Sequence, residues 1–189
     1  MANLDEAYKI TVIGNEGGLN PGMGEAFTYR GIDESQNPHW DQWLYIHQVW
    51  DANKHLGIGA VNKILAADAN LQSNIKDFYR ANYWNTLLLD QINDQQCANI
   101  LFDDSVNPCE INAAHAMQTA VVACGVPLVV DGKVGGKTIA AVNSIKPITY
   151  YNAVVTIRKF HYNDEVIKNP KQRQWLANWL SRLIPYKTT

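Results

Sequence analysis

The sequence predicts an all-α protein that is mainly helical and carries at most a minor β-hairpin. Apolar residues recur at helical spacing through most of the chain, beginning with Leu4, Tyr8 and Thr11. Strand-like runs are short, and turn-forming residues gather in a few loops. Of the 189 residues, 47% are apolar and 18% are charged, so a chain of this length can fold around its own core.

Helices account for most of the chain. The first begins after Asn3, a residue type that caps helices, and stops between Gly14 and Gly18, where glycines favour a left-handed cap. Residues 19–39 carry Gly, Pro, Asn and Ser, and they are expected to form a loop region with room for the hairpin. The remaining helices are predicted at about 40–50, with an end at 55–59, and at 70–84, 93–104, 112–124, 138–143, 150–164 and 171–183.

Charge and hydropathy exclude several classes of protein. The formal net charge of −2 lacks the basic footprint of a nucleic-acid-binding protein, so no nucleic-acid partner is expected. The longest uncharged apolar run, Val126 to Val130, is far shorter than the roughly 20 residues of a membrane-spanning helix, so no integral membrane segment is expected. Acidic residues stand where a signal peptide would be basic, which predicts synthesis in the cytoplasm without a cleavable signal peptide.

The sequence shows no clear metal or cofactor motif, and we expect neither group. His47, Asp51 and His55 follow one another at i, i+4 and i+8 on a predicted helix, a spacing that suits either a metal or an ordinary polar face. The polar face is favoured because no third cluster of ligands accompanies it. The cysteines, with no C-x-x-C spacing, are predicted to be small buried apolar residues and are Cys97, Cys109 and Cys124.

The residue of greatest chemical interest is Glu16, at the end of the first predicted helix. The negative end of a helix dipole raises the pKa of a carboxyl group there, as does partial burial. A carboxyl group that stays protonated near neutral pH can act as the general acid in glycosidic cleavage. Gly17 and Gly18 follow and would let a polymer approach closely. The same pattern also fits a solvated helix end with a glycine cap.

Five segments in order resemble glycoside hydrolase family 108, muramidases with a lysozyme-like fold, many of them from phages or prophages. The resemblance covers about residues 5–183. Its segments are Glu16-Gly17-Gly18 with Asn20-Pro21 and Thr28-Tyr29-Arg30-Gly31-Ile32; Phe78-Tyr79-Arg80 with Tyr83-Trp84; Leu101-Phe102-Asp103-Asp104-Ser105-Val106-Asn107; Ala116-Met117-Gln118 with Asp131-Gly132 to Thr138; and Arg158 with Trp175, Trp179 and Arg182.

This resemblance implies hydrolysis of the β-1,4 bond between N-acetylmuramic acid and N-acetylglucosamine, with Glu16 as the catalytic acid. It implies that Thr28 positions the attacking water. Glu25 lies nine positions after Glu16, where related phage lysozymes place a second acid, and it is either the base or a loop charge. The family's Asp-x-Gly-Gly is missing, and Leu19 and Asn20 replace the family's Tyr and Asp.

The resemblance also implies a substrate and a division of labour. The expected partner is the glycan strand of peptidoglycan. The protein is expected to be a monomer that resembles an endolysin and acts at the cell wall or periplasm after its release. The expected division is a catalytic half at 1–95 and a helical peptidoglycan-binding half at 96–189, packed into one lysozyme-like unit. The alternative is a catalytically degenerate peptidoglycan-binding or secretion-accessory protein. The expected substrate-binding residues are Gly17, Gly18, Tyr29, Tyr83, Trp84 and Asp131.

Three further groups have two interpretations each. The turn-rich stretch from Asp131 to Thr138 is either a structural turn or a peptidoglycan contact. The aromatic residues of the second helix either floor a sugar cleft or face the core, and the seven-residue spacing of Trp43 and Trp50 favours the core; the set is Trp40, Trp43, Tyr45 and Trp50. The basic residues of the C-terminal third form either a solvated face or a contact with anionic wall polymer; they are Arg158, Lys159, His161, Arg173 and Arg182.

Overall fold

A computed structural model describes residues 1–22, 26–107 and 112–188. Within these ranges it contains nine α-helices, short 3₁₀ and π turns, and one two-stranded antiparallel hairpin. The prediction of a mainly helical fold with a minor hairpin is confirmed. The chain forms two compact units, one of Tyr8–Arg80 and one of Met1–Ala7 with Ala81–Thr189. The expected functional division at residues 95 and 96 stays a prediction.

The described residues of the smaller unit form a β-hairpin and three α-helices. Helix α1 (Leu4–Tyr8), which apart from Tyr8 belongs to the larger unit, leads into the π-helical turn Lys9–Ile13 of the smaller unit. Strands β1 (Thr28–Tyr29) and β2 (Ile32–Asp33) pair with Tyr29 opposite Ile32. The helices that follow are α2 (Trp43–Asn53), α3 (Ile58–Ala67) and α4 (Ala69–Tyr79). The buried side chains of this unit include Val12, Phe27, Ile32, Trp43, Ile46, Val61, Leu65, Leu71, Ile75 and Tyr79.

Helix α3 is absent from the sequence prediction. The glycines at 57 and 59 indicate a helix end, but Gly57 instead takes φ +84° directly before the helix starts. Val61 and Leu65 lie one turn apart and are fully buried, which fixes the helix against its neighbours. Asp68 then ends α3 and caps α4, since its carboxylate accepts the Leu71 N–H at 2.8 Å.

Besides α1, the described residues of the larger unit form five α-helices, and the longest of them packs against three others. Asp94 and Asn112 cap α5 and α6 by accepting backbone N–H groups three residues later. Helix α8 packs against α5, α6 and α9. The helices are α5 (Gln95–Val106), α6 (Ala113–Ala123), α7 (Gly136–Ser144), α8 (Pro147–Lys168) and α9 (Arg173–Ser181).

A buried cluster of charges crosses this larger unit. Arg158 is fully buried, and its guanidinium lies 2.8 Å from Asp103 Oδ2 and 2.8 Å from Asp104 Oδ1. Arg182 pairs with the other oxygen of Asp103 at 2.8 Å. The interpretation of Arg158 and Arg182 as members of a basic surface is therefore wrong. Pairing offsets the large desolvation cost of these charges, and it makes the cluster part of the core.

The aromatic, cysteine and histidine predictions have separate outcomes. Trp43 is 4% exposed and belongs to the core. Cys97 is buried, Cys124 is half-buried, and Cys109 lies outside the described residues.

His47 lies 2.8 Å from Glu34. Among the residues that the structure describes, no group of three or more His, Cys, Asp or Glu side chains is arranged to hold a metal ion. None of the described helices has the length and hydropathy that a membrane crossing requires.

Candidate active site

Glu16 lies in the last turn of the first helical segment, beside the hairpin. Its backbone N–H donates to Val12 O at 3.0 Å, and its side chain is half-buried. The chain then runs antiparallel to β1. Arg30 N–H donates to Gly17 O at 3.1 Å, and Asn20 and Thr28 exchange two backbone hydrogen bonds of 2.8 and 2.9 Å. This pairing fixes the backbone after Glu16 against the strand that carries Thr28.

The carboxylate of Glu16 lies over Gly31 at the turn of the hairpin. A β-carbon built at Gly31 would be 2.6 Å from Glu16 Oε2 and 2.7 Å from the Tyr79 hydroxyl oxygen. Both oxygens therefore surround one small region that only a glycine leaves open. Tyr79 is 1% exposed, and its hydroxyl donates to Arg30 O at 2.6 Å. Helix α4, the hairpin turn and the end of the first helical segment thus meet at the Glu16 carboxylate.

The hairpin turn has an unusual backbone that suits this arrangement. Arg30 and Gly31 both have positive φ, +50° and +77°, as a two-residue hairpin turn of the primed type requires. Glycine adopts this conformation freely, but arginine does so at a cost. The Arg30 N–H and C=O are both hydrogen-bonded, to Gly17 and Tyr79, which stabilises the strained residue.

Buried polar groups accompany the Tyr79 ring. The rings of Tyr8 and Tyr79 meet edge-on at 5.9 Å. Tyr8 Oη, Thr11 Oγ1 and Arg30 Nε are buried and accept or donate no hydrogen bond within the described part of the chain. Burial raises the pKa of Tyr8 to about 12, although the nearby Arg30 charge acts in the opposite direction. Tyr8 is therefore a neutral, buried neighbour of Tyr79 at physiological pH.

Thr28 is half-buried on β1, and a pair of side chains outside the strand fixes the residue before it. Glu34 Oε2 accepts the Phe27 N–H at 2.9 Å, while the Glu34 N–H donates to Phe27 O at 2.8 Å. His47 Nε2 lies 2.8 Å from Glu34 Oε1, and its ring lies 4.1 Å from the Phe27 ring. Burial opposes the charge of Glu34, but the Phe27 N–H and His47 lower its pKa overall. We call Glu34 and His47 the Phe27 clamp.

The two glycines after Glu16 have different roles. A β-carbon on Gly17 would meet nothing within 4 Å, so this position is open to an approaching polymer. A β-carbon on Gly18 would be 2.6 Å from Asn62 Oδ1, the atom that accepts the Leu19 N–H at 2.7 Å. Gly18 is therefore required by internal packing. Its predicted role in substrate binding stays a prediction.

Two predicted sugar contacts are buried aromatic residues. Tyr29 is 1% exposed, and its hydroxyl accepts a hydrogen bond from Gln72 Nε2 at 3.3 Å. Trp84, in the larger unit, is also 1% exposed and packs edge-on against Phe102 at 5.8 Å. Both rings therefore contribute to the core. Their predicted role in substrate binding stays a prediction.

Tyr83 and Asp131 both belong to the larger unit but line different pockets. Tyr83 is half-buried and lines a pocket of about 300 Å³ together with Asn82, Ser105 and Gly132. Asp131 lines a second pocket of about 380 Å³. Glu25, the predicted second acid, lies outside the described residues. Within the smaller unit, backbone hydrogen bonds connect the segment that follows Glu16 to the strand that carries Thr28.

A buried glutamine organises the Asp131 turn. Gln118 is 1% exposed, and its Oε1 accepts the N–H groups of Asp131 and Gly132 at 3.0 and 2.8 Å. Its Nε2 donates to Asp131 Oδ1 at 2.8 Å and to Lys133 O at 3.1 Å. The Gln118 hydrogen bond, followed by that of the Lys133 N–H, lowers the pKa of Asp131. These bonds support the interpretation of this stretch as a structural turn.

Sequence reasoning missed the Phe27 clamp and the position of Tyr79. Tyr79 stands in the Phe78-Tyr79-Arg80 segment, but nothing in the sequence links it to the hairpin turn. His47 attracted attention only through its helical spacing with Asp51 and His55. In the structure His47 pairs with Glu34, and Asp51 pairs with Lys54 at 2.9 Å. Neither Glu34 nor Lys54 belongs to the i, i+4, i+8 series of His47, Asp51 and His55, so helical periodicity does not predict these pairs.

Comparisons with known proteins give two family matches and a similar solved structure. The family described as glycosyl hydrolase 108 matches residues 11–108, and the one described as a predicted peptidoglycan domain matches residues 112–184. The solved structure of Brucella abortus SagA is similar, with a TM-score of 0.57 and 22% sequence identity over 95% of this chain and 92% of that one. At that identity the likeness shows a shared fold. No curated protein matches the sequence.

Proposed function

The chain belongs to the glycosyl hydrolase 108 family, and from that premise we propose that it cleaves the β-1,4 bond between N-acetylmuramic acid and N-acetylglucosamine in peptidoglycan. The family makes it a glycoside hydrolase, and the matched predicted peptidoglycan domain supports peptidoglycan as the substrate. The observation that carries the proposal is the half-buried Glu16 carboxylate, held at a helix end over Gly31 and beside the Tyr79 hydroxyl.

Glu16 is the proposed general acid. The end of the first helical segment favours the neutral form of a carboxyl group, which is the form that donates a proton. The Gly17 position is open, so a glycan strand can approach the carboxyl group without meeting a side chain. Glu16 donates its proton to the glycosidic oxygen as the bond to the anomeric carbon breaks. The sugar left behind develops oxocarbenium character.

Thr28 is proposed to hold the water that completes the reaction. Its strand is fixed on both sides, by Asn20 and by β2, and the Phe27 clamp anchors the preceding residue. A hydroxyl group on so constrained a backbone can orient one water towards the anomeric carbon. Glu25 is the proposed base for that water, and a loop charge is the alternative role for it.

The proposal extends to the setting in which the protein acts. We propose that the chain is made in the cytoplasm, reaches the wall after release and works there as a monomer on glycan strands. Neither a metal nor a cofactor takes part in the proposed reaction, since proton donation and water attack are performed by side chains. The rival is a degenerate binding protein, which the departures at Leu19 and Asn20 would allow.

Clearing of purified Gram-negative cell walls stripped of outer membrane tests the proposal. We expect the wild type to reduce turbidity and Glu16→Gln to be slower by about 10²-fold or more. Glu165→Gln in α8 is the matched control, and it should clear the walls at the wild-type rate. Equal clearing by the wild type and Glu16→Gln would remove Glu16 as the acid. No clearing by the wild type, with retained sedimentation on walls, would favour the binding protein.

A further inference from the structure

A preformed pocket of about 380 Å³ lies beside the Asp131 turn in the larger unit. Its lining comes from the extended segment before the turn, from the turn itself and from the first turn of α7. The lining residues that bear on its chemistry are Leu128, Val129, Asp131, Lys133, Lys137 and Thr138. We call it the Lys133–Lys137 pocket.

The floor of the pocket is rigid. Gln118 lines it, and its side-chain amide makes four hydrogen bonds to residues 131–133 of the turn. Each is between 2.8 and 3.1 Å long. Thr138 is 3% exposed, at the start of α7. A ligand therefore meets a shape that already exists and does not have to order it, which favours binding.

The walls of the pocket combine cationic and apolar surface. Lys133 and Lys137 are both exposed at its rim. On the other side Val129 is 74% exposed, next to the half-buried Leu128. Small-ligand pockets typically combine apolar lining with a few polar or charged groups. The pocket therefore suits a small ligand that carries both carboxylates and short apolar groups.

Two further features narrow the ligand class. The lowered pKa of Asp131 keeps its carboxylate ionised at neutral pH, so the pocket also offers one acceptor for an ammonium group. Gly135 and Gly136 line the pocket, and a β-carbon on either would meet nothing within 4 Å, so their backbone is accessible. An extended peptide with carboxylates, an amine and small side chains matches this lining. An uncharged glycan would leave both lysines without a partner.

We propose that the Lys133–Lys137 pocket binds the stem peptide of peptidoglycan. In Gram-negative walls this peptide carries the carboxylates of D-glutamate and diaminopimelate, the amine of diaminopimelate and the methyl groups of alanine. The carboxylates pair with Lys133 and Lys137, the methyl groups contact Val129 and Leu128, and the amine faces Asp131. The inference rests on the proposed function, because a protein meets this peptide only when it acts on peptidoglycan.

Titration of the full chain with synthetic L-Ala-γ-D-Glu-meso-diaminopimelate, followed by NMR or calorimetry, tests the proposal. We expect saturable binding that weakens with salt. The double variant Lys133→Glu/Lys137→Glu should bind at least about tenfold more weakly, because two attractive charges become repulsive. Lys171→Glu/Lys187→Glu changes two exposed lysines outside the pocket by the same charge, and it should bind like the wild type.

The outcomes separate this proposal from the hydrolase proposal. Glu16→Gln should bind the tripeptide with wild-type affinity, because Glu16 is not part of the pocket. If walls are not cleared but the peptide binds in a Lys133- and Lys137-dependent way, the stem-peptide site stands and the hydrolase fails. If walls are cleared but the peptide does not bind, or binds equally to both double variants, the stem-peptide site is overturned. A folded double variant, shown by an unchanged NMR spectrum away from the pocket, is required for the comparison.

Discussion

The Glu16 carboxylate lies so close to Gly31 that a side chain at position 31 would collide with it. A β-carbon there would lie 2.6 Å from Glu16 Oε2. The positive φ of Gly31 adds a second reason for glycine at this position. The chain thus places its candidate acid over the one part of a hairpin turn that has no side chain. Glycine at position 31 thus serves both the positive φ of the turn and the placement of the Glu16 carboxylate.

Gly31→Ala should therefore damage activity more than stability. The new methyl group would displace the Glu16 carboxylate and the Tyr79 hydroxyl, and we expect wall-clearing activity to fall by about 10²-fold. Alanine at positive φ should also lower the free energy of unfolding by about 1–2 kcal/mol. Chemical denaturation and wall clearing measure the two effects. Gly59→Ala in α3 is the control, since its β-carbon meets nothing within 4 Å and its activity should be unchanged.

Tyr79→Phe removes only the hydroxyl that donates to Arg30 O. We expect a loss of about 1 kcal/mol in unfolding free energy and a loss of about tenfold in wall clearing, because the strained turn beneath Glu16 loses a hydrogen bond. Tyr45→Phe is the matched control. It removes a hydroxyl that donates to Asp68, so it should cost similar stability and leave activity intact. Equal activity of the two variants would contradict a role for Tyr79 at the site.

The Phe27 clamp should contribute stability that depends on pH. The folded-state pKa of Glu34 is lowered from 4.5, so its contribution is present above pH 4.5 and is lost as pH falls through the folded pKa. We expect Glu34→Gln to be less stable than the wild type by about 1 kcal/mol at pH 7. The difference should shrink below pH 4.5. Denaturant titrations between pH 3 and pH 7 measure it, and a difference constant over that range would contradict the ionised clamp.

Asp104 should have the opposite pH dependence. Burial raises its pKa from 3.8 to about 6, against the attraction of Arg158, and the negative charge of Asp103 acts in the same direction as burial. Arg158 Nε lies 2.8 Å from Asp104 Oδ1 but without the alignment of a hydrogen bond, which agrees with a raised pKa. The protonated form is favoured in the folded state, so the stabilising contribution is complete below pH 3.8 and is lost as pH rises through about 6.

Asp104→Asn cannot ionise and therefore isolates this effect. Relative to the wild type, we expect its unfolding free energy to increase between pH 4 and pH 7 by roughly 2–3 kcal/mol, the size of the shift in pKa. Parallel denaturant titrations of the two proteins measure the change. A wild-type advantage that grows with rising pH would show that Arg158 dominates and that the pKa of Asp104 is not raised.

The sequence was informative about elements with regular spacing and local caps. Eight of the helical regions and the minor hairpin could be predicted, because a buried stripe repeats every three or four residues. Helix α3 could not, since Gly57 and Gly59 normally indicate an end and here precede and open a helix. Arg158 also escaped prediction, because only its distant partners Asp103 and Asp104 make its burial tolerable.

The candidate site was predictable only in part. The residues of the Glu16 segment and Thr28 could be named from a local pattern, and backbone pairing brings them together. Tyr29 and Trp84 are substrate contacts only by family resemblance, and the sequence does not reveal that both rings are buried. Tyr79 bonds to Arg30 and Glu34 pairs with His47. These contacts join different elements, so the periodicity of a single helix cannot predict them.

Analysis of the products is the most direct test of the central claim that Glu16 is the acid of a muramidase. Peptidoglycan is digested, the new reducing ends are reduced with borohydride, and the sugars are identified by mass spectrometry. We expect reduced N-acetylmuramic acid from the wild type and from Glu165→Gln, and almost none from Glu16→Gln. Reduced N-acetylglucosamine, or equal yields of product from the wild type and Glu16→Gln, would contradict it.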